Sequence, residues 1–145
     1  MGRFNVLLFD DDDELRNELV SQLALHRDFE TTEASNGAAG LEAVSGRHFD
    51  IVLLDIGLPD TDGRNICRLI RRKGIHVPVI MLSGIVSDAD VILGLDSGAN
   101  DYVINPIKMG VLLARIRAHL RQHEASEDAS FFHGPYTFRP STRCR

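Results

Sequence analysis

Five short apolar runs of β type alternate with stretches of helical periodicity along the chain. The runs are Phe4–Phe9, Phe29–Thr32, Ile51–Leu54, Val77–Leu82 and Tyr102–Ile104. Leu15, Leu19 and Leu23 recur on one face of the first helical stretch, and Leu112, Ile116 and Leu120 on one face of the last. The first, third and fourth runs are almost wholly apolar, which predicts strands covered by helices on both faces. Strict strand–helix alternation predicts an α/β fold around a parallel sheet. Asn36-Gly37 precedes the second helix, Pro59 and Asp62-Gly63 the third, and Gly98 ends the fourth. From His123 to Ser130 the chain turns polar and aperiodic, which predicts a linker over 123–130. Phe131–Arg139 alternates weakly like the start of a strand, and fifteen residues cannot bury a core alone.

Composition narrows the class. At 145 residues, 43% hydrophobic and 26% charged, the chain is long enough for one buried core. No apolar run approaches membrane-spanning length and no signal-peptide pattern opens the chain, so a cytoplasmic protein without a membrane partner is expected. Cys67 and Cys144 lie in no metal-binding spacing. The net charge of −5 is unevenly spread: residues 1–107 hold 9 basic and 18 acidic residues, residues 108–145 hold 7 and 3. An acidic body repels nucleic acid, so DNA binding is not expected of the first hundred residues.

The chemistry lies at the strand ends, where open α/β sheets bind ligands. Asp10, Asp11, Asp12 and Asp13 come after the first strand, Asp55 after the third, Ser83 and Gly84 after the fourth, and Asn105-Pro106 after the fifth. Converging carboxylates repel, and Mg²⁺ relieves this with oxygen ligands while leaving room for phosphate. A carboxylate beside it is a competent nucleophile for phosphoryl transfer. Asp12 and Asp13 read more simply as solvated turn residues, with Asp13 the expected helix cap. His119 and His123, four apart on the last helix, read as solvated rather than as half a zinc site. Arg68, Arg71, Arg72 and Lys73 suit the C-terminal end of a helix dipole, and Cys67 reads as a small core residue.

Val6-Leu7-Leu8-Phe9-Asp10-Asp11-Asp12, Phe49-Asp50-Ile51-Val52-Leu53-Leu54-Asp55-Ile56-Gly57-Leu58-Pro59 and Pro78-Val79-Ile80-Met81-Leu82-Ser83-Gly84 together resemble the CheY-like receiver domain of two-component response regulators. Gly94-Leu95-Asp96-Ser97-Gly98-Ala99-Asn100-Asp101-Tyr102 is similar to the OmpR/PhoB-type subfamily, in which a winged-helix DNA-binding domain comes next. The resemblance implies a receiver over residues 1–122 with a doubly wound (βα)5, flavodoxin/CheY-like fold and parallel sheet order 2-1-3-4-5. It makes 131–145 the start of a truncated effector domain, so that DNA would be bound only through the missing part. It further implies Asp55 as phosphoacceptor, with Asp10, Asp11, Asp55 and the Gly57 backbone carbonyl around Mg²⁺. Ser83 becomes the switch hydroxyl, Tyr102 the switch aromatic, and a sensor histidine kinase the partner.

One family position departs. The lysine expected before the strand-5 proline is Asn105, which offers a hydrogen bond but no charge. The resemblance predicts a cis Asn105-Pro106 bond, metal binding that survives, and switching by phosphorylation that is impaired. It places a homodimer on the fourth helix, fifth strand and fifth helix, with Asp96 and Asp101 facing Arg115 and Arg117. A further family salt bridge there is replaced by Val91 and Val111, which favours a dimer independent of phosphate. A fully phosphorylatable receiver, a stand-alone protein–protein adaptor and, more weakly, a Mg²⁺-dependent phosphohydrolase remain open; beyond self-phosphorylation and dephosphorylation at Asp55 no enzyme is expected.

Overall fold

The computed structural model describes residues 3–84 and 87–133, with side chains through residue 123. Its elements are β1 (Phe4–Phe9), α1 (Asp13–Ala24), β2 (Phe29–Ala34), α2 (Gly37–Gly46), β3 (Ile51–Asp55), α3 (Gly63–Arg72), β4 (Val79–Ser83), α4 (Asp88–Asp96), β5 (Asp101–Ile104) and α5 (Met109–His133). Five strands form one sheet in the order β2-β1-β3-β4-β5, all pairs parallel. Doubly wound connectivity and strand order agree with the sequence expectation.

The period of two along each strand divides the core into two layers. Leu7, Phe9, Val52, Leu54, Val79 and Met81 point to one face and pack with Val44, Ile66, Cys67 and Ile70 from α2 and α3. Val6, Leu8, Ile51, Leu53, Ile80 and Leu82 point to the other and meet Leu19 and Leu23 of α1 and Leu112, Ile116 and Leu120 of α5. Cys67 is a buried free thiol in the first layer; Cys144 lies outside the described residues. Gly40 is needed where α2 crosses β1, since a Cβ there would collide with the Phe9 ring.

Several local expectations change. The N-cap of α1 is Asp12, not Asp13: its backbone is extended and its carboxylate accepts from the Glu14 and Leu15 amides. Asp13 is instead the first helical residue and pairs with Arg16. The helix α5 runs through 123–130 to His133, where an irregular linker was expected. Nothing in 123–130 is a Gly or Pro breaker, and residues of this kind are compatible with a helix. The expected strand from Phe131 is helical as far as His133, and residues 134–145 lie outside the described residues.

Arg71 is not merely a dipole-facing surface charge. Its guanidinium donates to the Gly98 carbonyl at 3.0 and 2.9 Å, to the Ile75 carbonyl at 2.9 Å and to Asn100 Oδ1 at 2.9 Å. Gly98 has φ +113°, and a Cβ there would press on the Arg71 side chain. Asn100 Oδ1 also accepts from the Val79 amide at 2.9 Å. One arginine thereby joins the end of α3, the α4–β5 turn and the start of β4.

Candidate functional site

The parallel sheet brings the ends of β1, β3, β4 and β5 to one edge, and the β3–α3 loop folds back over it. Gly57 and Asp62 form an antiparallel bridge, and the Gly63 amide donates to the Ile56 carbonyl at 2.7 Å. Gly63 lies so close to the Asp55 backbone that any Cβ would collide with the Asp55 carbonyl. This glycine, a turn residue by sequence, also sets the loop against the acidic site. Asp60, at the far end of the same loop, accepts from the Gly37 and Ala38 amides at 2.8 and 3.0 Å and so caps α2 from outside its own sequence. These two bonds hold its carboxyl below the ordinary range.

At this edge Asp10, Asp11 and Asp55 each offer a carboxylate oxygen, and the three oxygens lie within 4.8 Å of one another. Asp10 is 1% exposed. Its Oδ1 accepts from the Asp12 amide at 2.9 Å, while its Oδ2 is buried without a hydrogen-bond partner. Burial, reinforced by the carboxylates of Asp55, Asp12 and Asp11 and opposed by the Asp12 amide, pushes the Asp10 carboxyl up to about 6. Burial likewise raises Asp55, and Asp11 and Asp12 add to the rise against the amides of Gly57 and Ile56. The Gly57 amide donates to Asp55 Oδ1 at 3.2 Å.

An unpartnered oxygen in a cluster of carboxylates is the environment a hard divalent cation relieves, and an all-oxygen donor set fits Mg²⁺. Asp10, Asp11 and Asp55 fit that role by position and charge. Asp12 and Asp13 do not join the ligand cluster: one is committed to the helix cap and the other to Arg16.

Ser83 ends β4 at the same edge and is 3% exposed. Its carbonyl accepts from the Asn105 amide at 2.7 Å, which ties the end of β5 to it. Asn105 is half-buried, and the Asn105-Pro106 peptide is cis, as expected. Tyr102, also half-buried, lies against α4, where a Cβ on Gly94 would come 3.0 Å from its ring. Lys108 does not line the acidic cluster; it borders a groove with Tyr102, Ile104, Pro106, Val111 and Arg115 on the β5–α5 side.

The expected dimer residues divide. Val111 is 45% exposed beside exposed Ile104, and α4 presents Ile92, Leu93 and Leu95 partly to solvent, with Val91 half-buried and Asp96 exposed. Arg115 pairs within the chain, with Asp101 at 2.9 Å, and His119 Nε2 lies 2.9 Å from the other Asp101 oxygen. Arg117 does not share this face. Two residues along a helix are about 200° apart, and Arg117 turns to Asp28 at 2.8 Å and over the Phe29 ring at 5.1 Å.

Fold, acidic cluster and strand-end residues define a receiver domain. The chain belongs to the response regulator receiver domain family, whose model matches residues 6–117. It is similar to the transcriptional regulatory protein CseB of Streptomyces avermitilis, 49% identical over 119 residues that make up 81% of this chain and 49% of that protein. It also resembles the DNA-binding response regulator MtrA of Mycolicibacterium smegmatis, 40% identical over 122 residues, covering 84% and 53%. The chain thus spans about half the length of the curated relatives it matches. Among solved structures, the BeF3-activated receiver domain of Klebsiella pneumoniae RstA matches with TM-score 0.76 and 35% identity, covering 81% of this chain and 98% of that one.

Proposed function

We propose that this receiver accepts a phosphoryl group at Asp55 from a sensor histidine kinase and, as part of a longer regulator, controls transcription through its dimer state. The convergence of Asp10, Asp11 and Asp55, with one buried oxygen lacking a partner, carries this reading. Asp10, Asp11, Asp55 and the Gly57 carbonyl would hold Mg²⁺, which supplies positive charge to the transferring phosphoryl oxygens. An Asp55 oxygen forms the new bond to phosphorus as the bond to the donor imidazole breaks, and the leaving nitrogen keeps the electron pair. Ser83, one strand over, would donate its hydroxyl to a phosphoryl oxygen, with Tyr102 behind it as the switch aromatic.

Asn105 weakens the link from phosphate to dimer. A cation about 4 Å from the phosphoryl group contributes ~4 kcal/mol at an effective dielectric of 20, and an amide supplies none of that charge. Asp55 stands among carboxylates that raise its proton affinity, so metal binding survives the substitution while the phosphorylated state loses an anchor. Val91 and Val111, with Asp96, Asp101 and Arg115, then favour a homodimer through α4, β5 and α5 that does not wait for phosphate. DNA contact belongs to a domain beyond this receiver, and the cytoplasm is the compartment where such a kinase would reach it.

Sedimentation velocity with and without Mg²⁺ plus beryllofluoride tests the reading. A dimer under both conditions is expected. A monomer that becomes a dimer only with beryllofluoride supports a fully phosphorylatable receiver and overturns the uncoupling. No Mg²⁺ binding at millimolar concentration overturns the phosphoryl-transfer assignment itself.

A further inference from the structure

The sheet has a second chemically distinctive edge, where the strands begin. A cavity of about 360 Å³ opens there between the α2–β3 loop, the α3–β4 loop and α5. Its apolar floor is Val44, Phe49, Ile75 and Val77, and three histidines stand on its rim. His48 comes from the first loop, His76 from the second and His123 from the helix, so segments distant in sequence supply one residue each. The chain has six histidines in all, and half of them border this cavity. Among the described residues no carboxylate lines it.

We propose that His48, His76 and His123 form a binding site for a borderline transition-metal ion such as Zn²⁺ or Cu²⁺, at the opposite edge of the sheet from the aspartates. Neutral imidazoles are the ligands of choice for such ions, and three of them leave a coordination position for water. His48 already carries the outer contact typical of a ligating histidine. Its Nε2 lies 3.2 Å from Asp50 Oδ1, while Asp50 Oδ2 accepts from the Asn5 amide at 2.7 Å. A carboxylate on one ring nitrogen fixes the tautomer and leaves Nδ1 to ligate.

Among the described residues only the three aspartates have ligand atoms already within 4.8 Å of one another, so binding an ion here would require the histidine rings to rotate towards it. His48 has 73% of its side chain in solvent and His76 is exposed, so both rings turn without disturbing the core. Arg47, also on the rim, is the unfavourable neighbour; its guanidinium carbon lies 4.9 Å over the Phe49 ring, and exposure screens its charge. Metal here would fasten α5 to two loops at the point from which the helix runs on to His133. The site does not depend on phosphorylation at Asp55.

The test is Cu²⁺ titration of the full chain with electron paramagnetic resonance, in excess Mg²⁺, alongside Zn²⁺ calorimetry. One copper per chain with hyperfine splitting from three imidazole nitrogens is expected. His76→Ala and His48→Ala should each weaken binding at least about tenfold, and Asp50→Asn roughly ten- to a hundredfold through the tautomer. His26→Ala, whose ring lies against Phe29, should leave it unchanged. A spectrum with oxygen donors only, or affinity unaltered by His76→Ala, overturns the site. So does binding of inorganic phosphate, lost in the same variants, without any metal affinity, since that outcome makes the rim an anion site.

Discussion

Replacing Asp10 with asparagine should stabilise the metal-free domain. In the native state the Asp10 carboxyl is pushed from 3.8 to about 6, chiefly by burial and then by its carboxylate neighbours. Below pH 3.8 the group is protonated in both folded and unfolded chains and has no effect on stability. Between 3.8 and 6 the unfolded chain releases the proton while the folded one keeps it, so stability falls as pH rises. Above 6 the penalty is complete, and at ~1.4 kcal/mol per pKa unit it amounts to about 3 kcal/mol. Asparagine removes the charge and can still accept from the Asp12 amide. Urea denaturation with chelator at pH 7.5 should therefore show Asp10→Asn more stable by about 2–3 kcal/mol, with the gain shrinking towards zero below pH 4. Adding Mg²⁺ should reverse the order, because only the wild-type cluster gains binding free energy. A gain independent of pH, or none at pH 7.5, would refute the assignment of Asp10 as a buried, destabilising charge.

The same geometry leads to four further outcomes. Asn105→Lys should weaken Mg²⁺ binding by at least about tenfold, from ~1.4 kcal/mol of added repulsion, as read by calorimetry, while sedimentation should still show the dimer because Val91 and Val111 remain. Val91→Asp should leave the circular dichroism spectrum intact and lower the solution mass from dimer to monomer. Arg71→Leu strands the Gly98 and Ile75 carbonyls, and a loss of about 2–4 kcal/mol is expected by chemical denaturation. Asp60→Ala should loosen the start of α2, and hydrogen exchange should rise first at Gly37 and Ala38.

The strands and the acidic cluster were legible because both depend on local pattern plus one topological rule. Runs such as Val6–Phe9 and Ile51–Leu54 announce a sheet buried on two sides, and parallel connectivity then gathers the residues at the carboxyl end of each strand. The features that stayed hidden depend on contacts across the chain. Asp60 looks like a loop carboxylate until α2 is found beneath it, and Arg71 looks like one of four helix-end cations until Gly98 is seen beside it. Neither partner lies within twenty residues of the other. Asp12 and Asp13 differ by a single backbone conformation, which composition does not encode. His48, His76 and His123 are unremarkable singly, and only the shared cavity relates them.

The arginine that joins α3 to the α4–β5 turn gives α4 an axle. Its Gly98 end is held by two guanidinium bonds, and its opposite end is capped by Ser87 and tied to α3 through the looser Arg64–Asp90 pair at 3.4 Å. A displacement that kept those two bonds would be a swing about Gly98, and it would have to break the Arg64–Asp90 pair. Over nine residues, about 13 Å at 1.5 Å per residue, a tilt of ~10° carries the Ser87 end roughly 2 Å and leaves the Gly98 end in place. Gly94, against the Tyr102 ring, is four residues from Gly98 and would travel about a third as far as the tip.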